Sequence, residues 1–263
     1  MANKKILILD GSLRAGQTKR AINLLVKQLG DDYDCEIINL KSLGLSACVG
    51  CARCLAKGEG TCPMQHDGRD ELLSKLDNAD GIVFASSNVS LHVTHTFKIF
   101  FERFAFVFHR PRFFKKVFTG IITQGVYGGK KIDDYFKTTS GFWGGFYVPG
   151  AILTLASGAY EAGKEWKPKE AAMANRKIKA LAERFQKALR KQEDIKPSLF
   201  RVIMFRLART SHKYSGQMNM DFTYFDHKGW LESPYYYPVK LGPVKSLVGN
   251  LVDFGAKKLV QRQ

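Results

Sequence analysis

No stretch of these 263 residues approaches the run of about twenty apolar residues that a membrane-spanning helix requires. The opening MANKKILILDGS has an apolar run of only Ile6 to Leu9, which leads straight into a glycine turn. It reads as a strand and not as a secretory leader, so a cytoplasmic location with reduced thiols is expected. There is no internal repeat and no low-complexity tract. The first strand-to-helix junction carries neither G-x-G-x-x-G nor G-x-x-x-x-G-K-[ST], which excludes a classical dinucleotide fingerprint and a triphosphate loop. No nucleic-acid reading module is recognisable, so no nucleic-acid partner is expected. Acidic residues are scarce, 24 against 41 Lys and Arg, for a net charge of +17. The excess is uneven, +6 over residues 1–160 and +11 over residues 161–263. An acidic partner, an anionic membrane surface or a phosphorylated cofactor would suit that balance, as would a solvated basic surface.

With 45% hydrophobic residues the chain can build one sizeable core. KKILILDGS, CEIINL, GIVFASS, VFTGIITQG and GAILTLASG read as five strands, the first and third as buried parallel ones. Cys35, opening the second, reads as a buried small hydrophobe. Helical patterns fall over Thr18–Leu29, around Glu71–Asn78, over Thr94–Phe108 and over Pro168–Lys191. This alternation predicts a doubly wound α/β domain over residues 1–191, a five-stranded parallel sheet with helices on both faces. The strands are expected to end near Ser157–Gly163. Residues 192–263 form a basic, aromatic extension of a different character.

Ligands of such sheets bind at the carboxyl ends of the strands. Three loops stand out there. Asp10–Thr18 (DGSLRAGQT) combines a tight glycine turn with Ser12, Arg14, Gln17 and Thr18 at a helix N-terminus, a ready anion site. Ser86–Ser90 and Thr123–Gly129 are small and polar, and let backbone approach a flat ring closely.

GSLRAGQT followed by a helix resembles the phosphate loop of the NADPH-dependent FMN reductase and iron-sulfur flavoprotein family. Cys48-Val49-Gly50-Cys51-Ala52-Arg53-Cys54 with Cys62 is similar to that family's cysteine loop. Ala79–Phe104 looks like its third strand, flavin loop and following helix, with Lys98 and Arg103 in matching places. The resemblance covers roughly residues 4–160. It implies a flavodoxin-like fold, a homodimer, and FMN as cofactor. Ser12, Arg14, Gln17 and Thr18 would hold the phosphate. Ser86, Ser87, Asn88 and Val89 would line the ring or ribityl chain, with Gln124, Gly125 and Gly128 on the other side. Ser87-Asn88-Val89 stands where the family commonly has Pro-Val-Tyr, and Glu102 where it has Asp. The flavin would carry the chemistry, so no catalytic side chain is named. His92 and His95 lie near the flavin loop and read as packing residues. Electrons would come from NAD(P)H, or in an electron-carrying member from a ferredoxin-like redox protein.

C-x2-C-x2-C places three thiolates on one tight loop, and Cys62 before Pro63 supplies a fourth. Cys48, Cys51, Cys54 and Cys62 therefore suit a 4Fe-4S cluster, as in some relatives. Bare thiols and tetrahedral zinc remain the other two readings.

The extension holds a basic amphipathic pattern from Ile195 to Tyr214, an aromatic segment from Phe222 to Tyr237, and a second apolar-basic pattern over Val244–Gln263. It would either meet an anionic membrane surface or a redox partner, or form a C-terminal subdomain covering the flavin edge or a neighbouring subunit.

Overall fold

The computed structural model describes residues 3–64, 66–156, 164–216 and 219–261. The strands expected from the sequence form one parallel sheet. In chain order the elements are β1 (Lys4–Asp10), α1 (Gln17–Leu29), β2 (Tyr33–Asn39), the single-turn α2 (Arg53–Ala56), α3 (Arg69–Asn78) and β3 (Gly81–Ser87). They continue with α4 (His95–Arg103), α5 (Phe106–His109), β4 (Val117–Gln124), α6 (Gly129–Phe142), β5 (Phe146–Tyr147), β6 (Ala151–Thr154) and α7 (Pro168–Arg190). Last come α8 (Leu199–Tyr214), α9 (Met220–His227) and α10 (Pro243–Val260). Among the described residues no helix is long and apolar enough to cross a membrane.

The sheet order is β2-β1-β3-β4-β5, with β6 also paired to β4. The central β1, β3 and β4 are apolar runs buried almost throughout, whereas edge strand β2 alternates between half-buried and exposed positions. Cys35 on that edge is half-buried, and burial with the nearby Asp34 charge pushes its thiol up to about 11. The chain moves out from β1 to β2 and then returns to β3. That reversal is the switch point at which such sheets bind ligands.

The expected fifth strand, from Gly150, is β6, and a short β5 that the sequence reading did not include pairs with β4 ahead of it; Pro149 between the two has no N–H for the ladder. Asp133 of α6 closes the gap, accepting from Gly150 N–H at 2.9 Å and from the Tyr147 hydroxyl at 2.5 Å. The helix expected over Thr94–Phe108 breaks after Arg103. In one straight helix Phe104 and Phe106 would lie about 200° apart. With the break, Phe104, Phe106 and Val107 are all buried. They join an aromatic core in which the Phe84 ring meets Phe97, Phe100, Phe101, Phe118, Phe136 and Trp143 with centroids 5.1–6.4 Å apart. The expected end of the strand region, residues 157–163, lies outside the described residues.

The chain divides into two compact units, residues 1–50 with 64–193 and residues 51–63 with 194–263. The first contains the sheet. In the second, the aromatic segment is internal. Phe205, Phe225, Trp230 and Tyr235 are buried, with Trp230 and Tyr236 ring centroids 4.7 Å apart.

Candidate functional site

The three loops singled out in the sequence share the carboxyl edge of β1, β3 and β4, and hydrogen bonds fasten them to one another. At the end of β1, the buried Asp10 carboxylate accepts from Ser12 N–H at 2.9 Å and from the Ser12 hydroxyl at 2.6 Å. Asn39, ending β2, donates to the Ser12 carbonyl at 3.0 Å. Gly11 N–H donates to the Ala85 carbonyl at 2.9 Å, and a Cβ on Gly11 would stand 2.2 Å from the Phe97 ring. Only glycine allows this close crossing. Thr18 in the first turn of α1 is buried, its hydroxyl 2.7 Å from that of Thr123 at the end of β4.

Helix α1 starts without a side-chain cap and without an acidic residue in its first turn. Its first N–H groups therefore retain their capacity for an anion. Arg14 is exposed just ahead of them. Gln17 is occupied differently. Its amide donates to the Lys164 carbonyl at 3.0 Å and accepts from the Trp166 indole, so it braces the approach to α7.

The loop after β3 is tied to β4 by Asn88. Its N–H donates to the Thr123 carbonyl at 2.8 Å and its side-chain amide to the Tyr127 carbonyl at 2.7 Å. The other end of that amide, Asn88 Oδ1, is buried with no hydrogen-bond partner among the described residues. An unmatched buried acceptor of this kind costs about 1–3 kcal/mol, so a ligand donor reaching it would be favoured. Ser86 is fully buried, and its hydroxyl takes the Thr94 N–H at 3.3 Å, fixing where the loop ends. Ser87 is half-buried and Val89 exposed. Between Val89 and His92 the chain makes a tight hairpin, with Ser90 and Leu91 both at positive φ, 50° and 65°. His92 packs on the Tyr135 ring at 5.0 Å, and His95 is exposed at the start of α4.

After β4, the Gln124 amide accepts from Gly129 N–H at 2.7 Å and donates to the Thr154 hydroxyl at 3.0 Å. It thereby caps α6. Gly125 is half-buried. Gly128 has φ 102°, and a Cβ there would stand 2.9 Å from the Asn88 amide nitrogen and 3.1 Å from Leu91. Val126 and Tyr127, at 76% and 66% exposure, form an apolar rim on this loop.

Sequence reasoning passed over Asp10, Asn39, Thr123 and Tyr127. Asp10 carried a signal, an acidic residue closing an otherwise buried apolar strand. Tyr127 supplies an aromatic next to Asn88, where Ser87-Asn88-Val89 itself has none.

The cysteines are divided. Cys48, exposed, belongs to the first unit, and its sulfur accepts the Gly50 N–H at 3.5 Å. Cys51, exposed, and Cys54 and Cys62, half-buried, belong to the second. Among the described residues none of these cysteines is joined in a disulfide. Among the described residues no three His, Cys, Asp or Glu side chains form a group able to hold a metal ion. The donor set, three cysteines spaced C-x2-C-x2-C and a fourth before Pro63, has the chemistry of a cluster site.

The first unit does hold both ends of this segment firmly. The buried Arg103 guanidinium donates to the Ser46 carbonyl at 3.0 Å and the Met64 carbonyl at 2.6 Å, and it pairs with Asp67. Burial would raise the Asp67 carboxyl. Hydrogen bonds from Arg103 and from the N–H groups of Ser46 and Arg69 outweigh it and hold that pKa below the ordinary value.

Residues 4–159 match the family described as NADPH-dependent FMN reductase, more than half of the chain. This chain belongs to that family. The FMN reductases are FMN-dependent oxidoreductases. Among curated proteins, an iron-sulfur flavoprotein of Archaeoglobus fulgidus is 26% identical over 234 residues, covering 87% of this chain and 100% of that one. An iron-sulfur flavoprotein of Clostridioides difficile is 27% identical over 151 residues, 56% of this chain and 65% of that one. Among solved structures, RosB with bound 8-demethyl-8-formylriboflavin-5'-phosphate superposes with a TM-score of 0.59 at 14% identity, covering 91% of each chain. That likeness shows a shared flavodoxin-like fold.

Proposed function

We propose that this chain binds FMN across the carboxyl ends of β1, β3 and β4 and passes electrons from NADH or NADPH to an acceptor. The observation that carries the reading is the set of unmet polar groups at one edge: the uncapped start of α1, with Arg14 beside it, and the buried, unpartnered Asn88 Oδ1. One suits a phosphate and the other a ring or ribityl donor.

Arg14, Thr18 and the first N–H groups of α1 would hold the phosphate, with Ser12 fixed against Asp10 as the floor. Asn88, the Gly125–Gly128 backbone and the Tyr127 rim would position the ring and exclude water. Gln17 and Gln124 act one step back, as braces of the loops. When bound, FMN supplies reversible one- and two-electron redox chemistry. The protein contributes binding, orientation and a shaped edge, and no side chain is assigned a catalytic role.

Anaerobic addition of NADH or NADPH to the FMN-loaded protein should bleach the flavin absorbance. A second reading is an electron carrier that takes electrons from a ferredoxin-like donor, favoured by the four-cysteine set and by the A. fulgidus relative. It expects bleaching by reduced ferredoxin alone and about four irons per chain. Retention of flavin with no bleaching by any of these donors would defeat both.

A further inference from the structure

Helix α10 is amphipathic, but it faces the wrong way for a helix that only packs on its own protein. Its side toward α8 is small and polar. Gly249 and Ala256 are buried there. Arg206 of α8 donates to Asp253 and to Asn250, and the Thr210 hydroxyl donates to Asp253 at 2.7 Å. Arg209 pairs with Asp253 at 2.5 Å. The large apolar residues point outward. Val244, Leu247, Leu251, Phe254 and Leu259 are 68%, 62%, 63%, 62% and 64% exposed. At 100° per residue they occupy an arc of about 140°, one continuous stripe along the helix. Scattered exposed apolar residues are ordinary, but an aligned stripe of five marks a surface that something covers.

Charge identifies what would cover it. From Lys240 onward the chain carries five Lys and Arg against one acidic residue, Asp253. That one carboxylate is turned inward and neutralised by Arg206 and Arg209. The outward side is therefore apolar and cationic only. Lys258 lies over the Phe254 ring at 4.2 Å, within the stripe, and Lys257 over the Tyr214 ring at 4.8 Å, beside it. A second copy of α10 would bring lysine against lysine with no carboxylate to offset them. An anionic lipid surface complements both features: acyl chains take the stripe, and headgroups take the lysines, whose stems extend along apolar surface.

We propose that α10 docks this protein on an anionic membrane surface, lying in the headgroup plane with its leucine and phenylalanine stripe inserted. The docking does not depend on the flavin. It would hold an electron-transfer domain at the bilayer, where apolar acceptors dissolve.

The test is co-sedimentation of the full chain with vesicles of phosphatidylcholine alone or mixed with phosphatidylglycerol, at low and high salt. Binding should require phosphatidylglycerol and weaken with salt. The Leu251→Asp/Phe254→Asp variant should lose at least about tenfold in vesicle affinity, because it removes two inserted side chains. Lys257→Glu/Lys258→Glu should lose the lipid-charge dependence. Circular dichroism checks that each variant is folded, and Leu247→Ser gives a milder change in the same direction. Binding that ignores phosphatidylglycerol, or that survives every stripe variant, would overturn the proposal. So would absence of vesicle binding combined with an oligomer, seen by light scattering, that the stripe variants dissolve. In that case the stripe is an interface between copies.

Discussion

Helices α7 and α10 look alike as sequence and are used in opposite ways. Each opens with a proline in its first turn and closes on two cations, Lys187 and Arg190 in α7, Lys257 and Lys258 in α10. Each has an apolar stripe. In α7 the stripe is inside: Ile178, Leu181, Phe185 and Leu189 are wholly buried. In α10 the stripe is outside, and the contact with α8 is made by Gly249, Asn250, Asp253 and Ala256. The partner decides. The sheet and α1 offer α7 an apolar surface, whereas α8 offers α10 the cations Arg206 and Arg209 and the Thr210 hydroxyl. Amphipathic periodicity establishes a helix with two faces, and the chemistry of the neighbour selects which one is hidden.

This contrast can be broken most sharply at Phe185. Phe185→Ala should cost about 3–5 kcal/mol, since it empties a fully enclosed site against Gly81, and chemical denaturation would read the loss. A cost near zero would mean that α7 is not packed as described. Next comes the polar seal of α10. Asp253→Ala leaves Arg206 and Arg209 facing each other without a carboxylate. It should cost about 3 kcal/mol, the lower end for a buried pair because Asp253 is partly open. The first loss should appear in hydrogen exchange of α10. A smaller effect comes from acid. Burial would raise the Asp253 carboxyl, but the hydrogen bonds from Thr210, Arg206 and Arg209 hold it below its ordinary value. Its contribution is therefore complete above the unfolded carboxylate pKa, about 4, and is lost as pH falls through the lower folded value. Protection of α10 should fade over that interval, and Asp253→Asn should abolish the dependence. Least of all, Leu251→Ala should change stability by no more than about 0.5 kcal/mol, because its side chain already meets solvent. A large loss there would erase the contrast with α7.

The strands were legible because buried parallel strands read as unbroken apolar runs, and the loops at their ends because small polar residues and glycines interrupt those runs abruptly. What was not legible depended on through-space partners. Gln17 looks like a phosphate ligand in DGSLRAGQT, yet Trp166 and the Lys164 carbonyl, nearly 150 positions away, engage its amide. Arg103 looks like one cation of an aromatic helix, yet it holds Ser46 and Met64, the two ends of the cysteine segment. Pro149, just ahead of the expected last strand, did carry a visible signal: its missing N–H separates that strand from the short β5. The division of the cysteines between two units had none, because spacing such as C-x2-C-x2-C records separation along the chain and not which body each residue joins.

The account rests on a flavin phosphate at the start of α1, and one titration tests it. Flavin-free protein is titrated with FMN by fluorescence, alongside Arg14→Ala. Arg14 is exposed, so the variant should fold normally. The account predicts tight binding by the native chain and a loss of about 1.5–3 kcal/mol, roughly 10–150-fold in affinity, on removing this charge-assisted contact. Equal affinity in the two proteins, or no FMN binding by the native chain, would contradict it.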